Sequence, residues 1–423
     1  MIPALILFCV TYVLMLIFGK YRPYIALASG LVFIVTGMLP LGEIWSSIDL
    51  NVILMIAGTM GLVQLFIDSK MPALLADLVM ERVPNIKWAA VSLALFSGVI
   101  SAFVDNVATV LMVAPVGLAI CKKLKVNPVP FIIAIAVSSN LQGAATLVGD
   151  TTAIMLGSEL NMSFLDFFWF KGRPSIFFAV EIGALISAAI LLFLFRKENG
   201  RVEKAESRTV VTDYVPSYLL IALLALLIGA SFIPNKPDET NGLICCALLV
   251  IGLAYNWIKN KSFRFVTEPL KAIDFNTIGL LLGLFLMIGG ISAQGVIKAA
   301  ADLLAKAGGG NVFLLYTIVV WASVAISAFI DNIPYVATMI PVIGGIAATL
   351  GIDPTPLYFG LLSGATLGGN CTPIGASANI TGIGILRREG YEVKNKDFFK
   401  IGIPFTLAAI IPAYLYIWFV YGM

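Results

Sequence analysis

Apolar runs of 17 to 20 residues recur along the chain, separated by short polar or basic stretches. Runs of this length cross a hydrocarbon layer about 30 Å thick as α-helices. The pattern predicts spans at residues 2–18, 24–39, 50–67, 176–195, 218–234, 243–258, 275–291 and 401–421. Four longer runs carry a polar interruption: 88–121 at Asp105–Asn106, 131–156 at 143–150, 312–350 at Asp331–Asn332, and 357–385 at 368–377. Residues 71–82 and 296–307 have apolar positions at helical spacing and read as short helices, the first of them interfacial. The first run lacks a basic leader and a small-residue cleavage site, so it reads as a span.

The interruptions are duplicated. S-A-F-V-D-N-V-A-T-V-L-M-V-A-P-V from Ser101 returns 226 residues later as S-A-F-I-D-N-I-P-Y-V-A-T-M-I-P-V from Ser327. The same shift lays Gly143, Thr146 and Gly149 on Gly369, Thr372 and Gly375 without a gap. Two copies of one unit follow, each with a broken hairpin and a broken span.

Composition confirms the solvent: 60% of the 423 residues are hydrophobic and 12% charged. A soluble chain carries about twice that charge. Charge placement fixes the topology. If 88–121 and 312–350 enter and leave on one side, ten crossings remain, and 22 of the 27 Lys/Arg collect on one face. That face includes the linker 196–216. The positive-inside rule makes it cytoplasmic, with both termini outside. The first copy then starts outside and the second inside, so the repeats are inverted. The side count would not change if the two segments crossed as ordinary helix pairs. The hairpin exits agree: 121–128 carries three lysines, whereas 347–354 has none and carries Asp353.

A carboxylate in the hydrocarbon layer persists where protein or water compensates it. Asp105 with Asn106 and Thr109, and Asp331 with Asn332, read as two halves of one midplane site at hairpin tips, where helix ends leave backbone groups unpaired. An Asp–Asn pair also caps a helix, and both roles can hold together. The interruptions around Asn140, Gly143, Thr146, Gly149, Asp150 and Thr151, and around Thr366, Asn370, Thr372, Gly375, Ser377 and Asn379, supply hydroxyls, amides and unwound backbone for coordination. Small-residue helix packing is the competing account. Asp150 has Ala376 as its counterpart, which makes it a candidate coupling residue. Glu159 and Glu181 read as interfacial caps. Cys371 is the one cysteine in an interruption; a thiolate ligand there is set against simple packing. The five cysteines show no metal or disulfide spacing, and there is no histidine. No cofactor is expected beyond Na⁺ or H⁺ as coupling ion, with Na⁺ placed at Asp105, Asn106, Asp331 and Asn332. The chain has no H-E-x-x-H, G-x-S-x-G or P-loop, so neither an intramembrane enzyme nor an ATP-driven pump is expected.

Three stretches carry a family resemblance: V-D-N-V-A-T-V-L-M-V-A-P-V, Q-G-A-A-T-L-V-G-D, and L-G-G-N-C-T-P-I-G-A-S-A-N at 367–379. They resemble the arsenite-permease/P-protein (ArsB- and NhaD-like) family of the ion transporter superfamily, and more distantly the sodium–dicarboxylate symporters. The resemblance implies scaffold and transport domains, a homodimer and an elevator-like motion. It also implies exchange or co-transport of small anions, arsenite or cations against Na⁺ or H⁺. Where P-proteins continue P-P-N after the Gly-Asp, this chain has Thr151, Thr152 and Ala153.

The expectation is an all-α polytopic membrane protein with two inverted repeats, about ten spans (two discontinuous) and two re-entrant hairpins. Its segments are scaffold helices 1–43, first repeat 44–195, cytoplasmic linker 196–216, connecting helices 217–268 and second repeat 269–423. It would sit in a bacterial or archaeal inner membrane, with a small ionic or polar solute and no nucleic acid as partner. The expected function is secondary transport of an arsenite-like ion or oxyacid. The alternatives are an Na⁺-coupled di- or tricarboxylate symporter, an Na⁺/H⁺ antiporter and a passive anion channel.

Overall fold

The computed structural model describes residues 1–200 and 208–423; Arg201 and Lys204 of the linker lie outside them. In chain order the helices of the first half are α1 (Ile2–Ile17), α2 (Arg22–Val35), α3 (Ile44–Ser47), α4 (Leu50–Asp68), α5 (Met71–Met80), α6 (Ile86–Ser101), α7 (Asn106–Leu124), α8 (Val129–Gly143), α9 (Thr151–Glu159) and α10 (Ile176–Leu194). The second half has α11 (Val215–Ser231), α12 (Thr240–Asn260), α13 (Arg264–Lys271), α14 (Phe275–Ala293), α15 (Val296–Ala307), α16 (Val312–Ser327), α17 (Asn332–Leu350), α18 (Thr355–Gly368), α19 (Ser377–Arg388) and α20 (Asn395–Ile417).

The protein is an all-helical polytopic membrane protein. Among the described residues, seven helices are long and apolar enough to cross a bilayer, and two bent pairs, α1–α2 and α15–α16, also qualify. The halves of the two broken spans are 15, 9, 14 and 12 residues long, too short to cross singly. α1, α2 and α11, of 16, 14 and 17 residues, also fall short singly, whereas α7 and α17 of the hairpins are among the seven.

The duplicated sequence folds into duplicated elements. Asn85 caps α6 by accepting from the Trp88 amide at 3.1 Å, and Asn311 caps α16 from Leu314 at the same distance. Asp105 and Asp331 cap α7 and α17. Asp49 and Asp274 cap α4 and α14. A left-handed residue ends α7 at Lys125 and α17 at Gly351. These caps satisfy amides and carbonyls that a helix end would otherwise strand in lipid.

Packing sorts the helices into two groups. α2 runs along α14 and α4 along α12; α6 packs on α8, α16 on α18, and α10 on α20. Every residue of α18 is buried, and all of α8 except Pro130. These half-helices are apolar all round because protein surrounds them all round. That sheath is what permits them to break at membrane depth. The turn between α6 and α7 packs at the α8 break. There Thr146 bonds the Ala102 carbonyl, and Thr372 bonds the Ala328 carbonyl in the α16–α17 counterpart.

Two features were not anticipated. Arg264–Lys271 looks like loop by charge, but Glu268 lies 4.0 Å from Arg264 and 3.5 Å from Lys271 at helical spacing. After α9 the chain makes a β-hairpin, Trp169–Phe170 (β1) against Arg173–Pro174 (β2). Lys171 at its turn binds Asp353 at 2.9 Å, tying the two copies together outside the helices.

Candidate functional site

The two hairpin tips and the two helix breaks meet around one cavity. Asp105 and Asn106 enter it from the start of α7, Asp150 and Thr151 from the start of α9, Asn332 and Ile333 from the start of α17, and Ser377 from the start of α19. Four helix N-termini therefore converge, each with a positive dipole end; α7 and α17 are capped by Asp105 and Asp331, whereas α9 and α19 carry no side-chain cap. The outer helices complete the wall with Gln64 of α4 and Asp274 and Thr277 of α14. The space is ≈170 Å³, nearer the scale of a small ion or small organic solute than of a drug-sized ligand.

Besides Asp274, which is exposed, two carboxylates line the cavity and a third, Asp331, stands just behind it. One Asp105 carboxylate oxygen accepts from the Val107 and Ala108 amides at 3.0 and 3.1 Å. Asp150 accepts from the Thr152 hydroxyl at 3.0 Å and from Asn332 of the other copy at 3.4 Å. Asp331 accepts from the Ile333 amide and the Ser377 hydroxyl, both at 3.2 Å. Asp150 lies within electrostatic reach of both other aspartates. Such a set, mostly buried, demands cations or protons.

A buried amide network braces the cavity from behind. Asn106 donates to Asn140 at 3.1 Å, and Asn140 donates to the Thr366 carbonyl at 2.7 Å and to Asn370 at 3.1 Å. Asn370 donates back to the Val137 carbonyl at 2.9 Å. The network thus runs from the first hairpin through α8 into the second break. Thr152 and Thr366 join it by a 3.2 Å hydroxyl contact.

Of the residues the sequence singled out, Asp105, Asn106, Asp150, Thr151, Asn332 and Ser377 line the cavity, and Asp331 stands behind Ser377. Asn140, Thr366 and Asn370 are buried behind it. Thr109 faces the Val104 carbonyl inside its own hairpin. Gly143, Thr146, Gly149, Thr372 and Gly375 fasten hairpins to breaks. Thr146 donates to the Ala102 carbonyl, and Thr372 makes the matching bond to Ala328. A Cβ at Gly149 would meet the Gly143, Ser101 and Ala102 carbonyl oxygens at 2.5 to 2.9 Å. At Gly375 it would meet those of Gly369, Ala328 and Ser327 at 2.6 to 2.8 Å. Asn379 holds the second break by donating to the Gly369 and Thr372 carbonyls at 3.1 Å. Close packing and hydrogen bonding describe these contacts, and both are compatible with a coordinating role.

Neither Cys371 nor Glu181 lines the cavity. Glu181 is no cap: it lies inside α10, where Gln142 donates to it at 3.3 Å. Glu159 ends α9 and accepts from Tyr358 at 2.9 Å. Sequence reasoning missed Gln64, Asp274, Thr277 and Thr152. Gln64 was readable as an amide deep in an apolar span, and Asp274 as the cap opening the second copy.

The cavity reaches toward the face where α4 ends and α14 begins. There Gln64 and Ala272 are shared with a larger space of ≈910 Å³ lined by Asp68, Asp213, Lys259, Arg264, Glu268 and Lys271. A separate space of ≈470 Å³ on the opposite face is lined by Asp49, Glu159, Asp238 and Glu239.

Duplicated hairpins, broken helices and a polar cavity inside an apolar helical body define a membrane transporter. The fold resembles two solved transporters at 15% identity. The YdaH transporter of Alcanivorax borkumensis gives a TM-score of 0.63, covering 93% of this chain and 89% of its own. MtrF of Neisseria gonorrhoeae, described among antimetabolite efflux pumps, gives 0.58, covering 97% and 84%. The chain belongs to the CitMHS family, described as "Citrate transporter", whose sequence profile matches residues 12–259 and 244–423. An uncharacterized transporter of Mycobacterium tuberculosis is 33% identical over 335 residues, 78% of this chain and 76% of that one. The human P protein is 27% identical over 401 residues, 76% of this chain and 48% of its own, so this chain matches about half of that protein's length.

Proposed function

We propose that the protein is a secondary active transporter that carries a small carboxylate or comparable oxyanion together with Na⁺ or H⁺. One observation carries the reading: Asp105 and Asp150 of the first copy line one cavity with Asn332 and Ser377 of the second, Asp331 stands just behind Ser377, and four helix N-termini converge there. The carboxylates recruit cations, and the bound cations with the amide-rich helix ends then recruit an anion. The cavity wall includes no lysine or arginine, so on this reading anion affinity depends on the cations. The family's description as citrate transporter favours a di- or tricarboxylate over an arsenite-like solute. Cys371, the soft ligand that would single out arsenite, is not in the cavity wall. On this reading the basic face is cytoplasmic, both termini lie outside the inner membrane, and the hairpin-bearing group moves against the outer helices in a homodimer.

The test is uptake into proteoliposomes of labelled citrate, succinate, phosphate and arsenite, under an imposed Na⁺ gradient, a pH gradient, or voltage alone. Carboxylate accumulation that requires a cation gradient is expected. Flux driven by voltage without either gradient would mark a channel and refute the reading.

A further inference from the structure

Arg22 brings a positive charge to the site from outside both repeats. It opens α2 at the corner with α1, its Nε donates to the Met15 carbonyl at 3.2 Å, and its Nη1 reaches Asp331 at 3.5 Å. The same corner grips the second hairpin at another level, where Tyr12 of α1 donates to the Pro334 carbonyl at 2.7 Å and bonds Thr338. Yet α1 and α2 pack mainly on α14 and on each other, and the hairpins pack on the broken helices. The Arg22–Asp331 pair therefore bridges the two packing groups. Among the described residues no ion pair involves Asp105 or Asp150.

Counting formal charges gives the consequence. Leaving aside Asp274, which is exposed in the cavity wall, three ionised aspartates against one guanidinium leave two negative charges to neutralise in this conformation. When the hairpin group moves relative to α1 and α2, Arg22 parts from Asp331 and three remain. Among mostly buried carboxylates the difference is one bound cation. We propose that Arg22 is a built-in counter-ion that competes with the coupling cation for Asp331. It binds the carboxylate in the conformation open toward the basic face and so expels one cation there. The fork of the guanidinium and its tether to Met15 fix where this happens, so the exchange is tied to the position of the hairpin rather than to ion concentration alone. The proposal rests on the cation-coupled reading above.

The experiment measures thermal stability of purified protein titrated with NaCl against choline chloride, and separately with pH, for wild type, Arg22→Gln, Arg22→Lys, Asp331→Asn and Arg22→Gln/Asp331→Asn. Removing the competitor should lower the half-stabilising Na⁺ concentration of Arg22→Gln on the order of tenfold, or shift the protonation midpoint upward if H⁺ is the ion. Arg22→Lys should shift less in the same direction, and serves if the glutamine variant does not survive purification. Both shifts should vanish in the Asp331→Asn background. A wild type that responds while Arg22→Gln and Arg22→Lys keep its midpoint overturns the proposal alone, as does a shift that persists with Asp331→Asn. A wild type that responds to neither ion overturns the coupled-transport reading and the proposal with it.

Discussion

The two copies share a backbone and differ in chemistry. Each hairpin tip is capped by an aspartate, each break is fastened by a threonine-to-alanine-carbonyl bond, and each has a glycine where carbonyls crowd in. The differences concentrate where the copies face the cavity or a neighbour. Asp150 opposes Ala376, Asn140 opposes Thr366, and Arg22 meets Asp331 with no ion-pair counterpart at Asp105 among the described residues. Gly98 and Gln142 of the first copy stand where Val324 and Gly368 stand in the second, so large and small have traded places across one helix contact. Fastening residues stay paired because both hairpins must hold the same shape. On the proposed reading, cavity residues diverge because a single solute meets one asymmetric site.

That contrast makes predictions of unequal size. Asp105→Asn or Asp331→Asn should abolish gradient-driven uptake while the protein still inserts and elutes as a folded species; unchanged transport would deny either residue a role. Asp150→Ala, which gives the first copy the second copy's residue, should weaken cation binding roughly 10–100-fold by the loss of one charged ligand. Ala376→Asp should not compensate, since Ala378 stands where the first copy has the Thr152 donor. Na⁺ titration of stability measures both. Gly149→Ala and Gly375→Ala should each destabilise by about 1–3 kcal/mol, as overpacking of a close contact does. Their falls in melting temperature should match, because the crowding carbonyls match; a large inequality would break the claim of equal fastening. The smallest effect is expected from Gly98→Val combined with Gln142→Gly, which copies the second repeat's arrangement. Gly98→Val alone drives a side chain into Gln142 and should be clearly less stable than the pair.

Much of this architecture was readable from residues alone. Long apolar runs give spans directly, and a repeat at constant offset gives the paired hairpins and breaks. Asp105, Asp150 and Asp331 stood out because a carboxylate in an apolar run needs a reason. The division of labour within each Gly-x-x-Thr-x-x-Gly was not legible. Thr146 and Thr372 look like ligands in sequence, but their hydroxyls are spent on hairpin carbonyls, and only the fold shows which carbonyl comes near. Arg22 was equally hidden. In sequence it falls with Lys20 between two apolar runs, where a basic residue reads as a topology signal, and its partner lies 309 positions away.

The central claim is that one cavity between inverted copies opens to one face at a time. Labelling of Ser377→Cys, in a background without the five native cysteines, by a membrane-impermeant thiol reagent applied from either side tests it most directly. The account predicts labelling from the basic face in cation-free vesicles, and a shift of access toward the opposite face when cation and transported solute are supplied together. Labelling from both faces at once, or access indifferent to cation and solute, would contradict it.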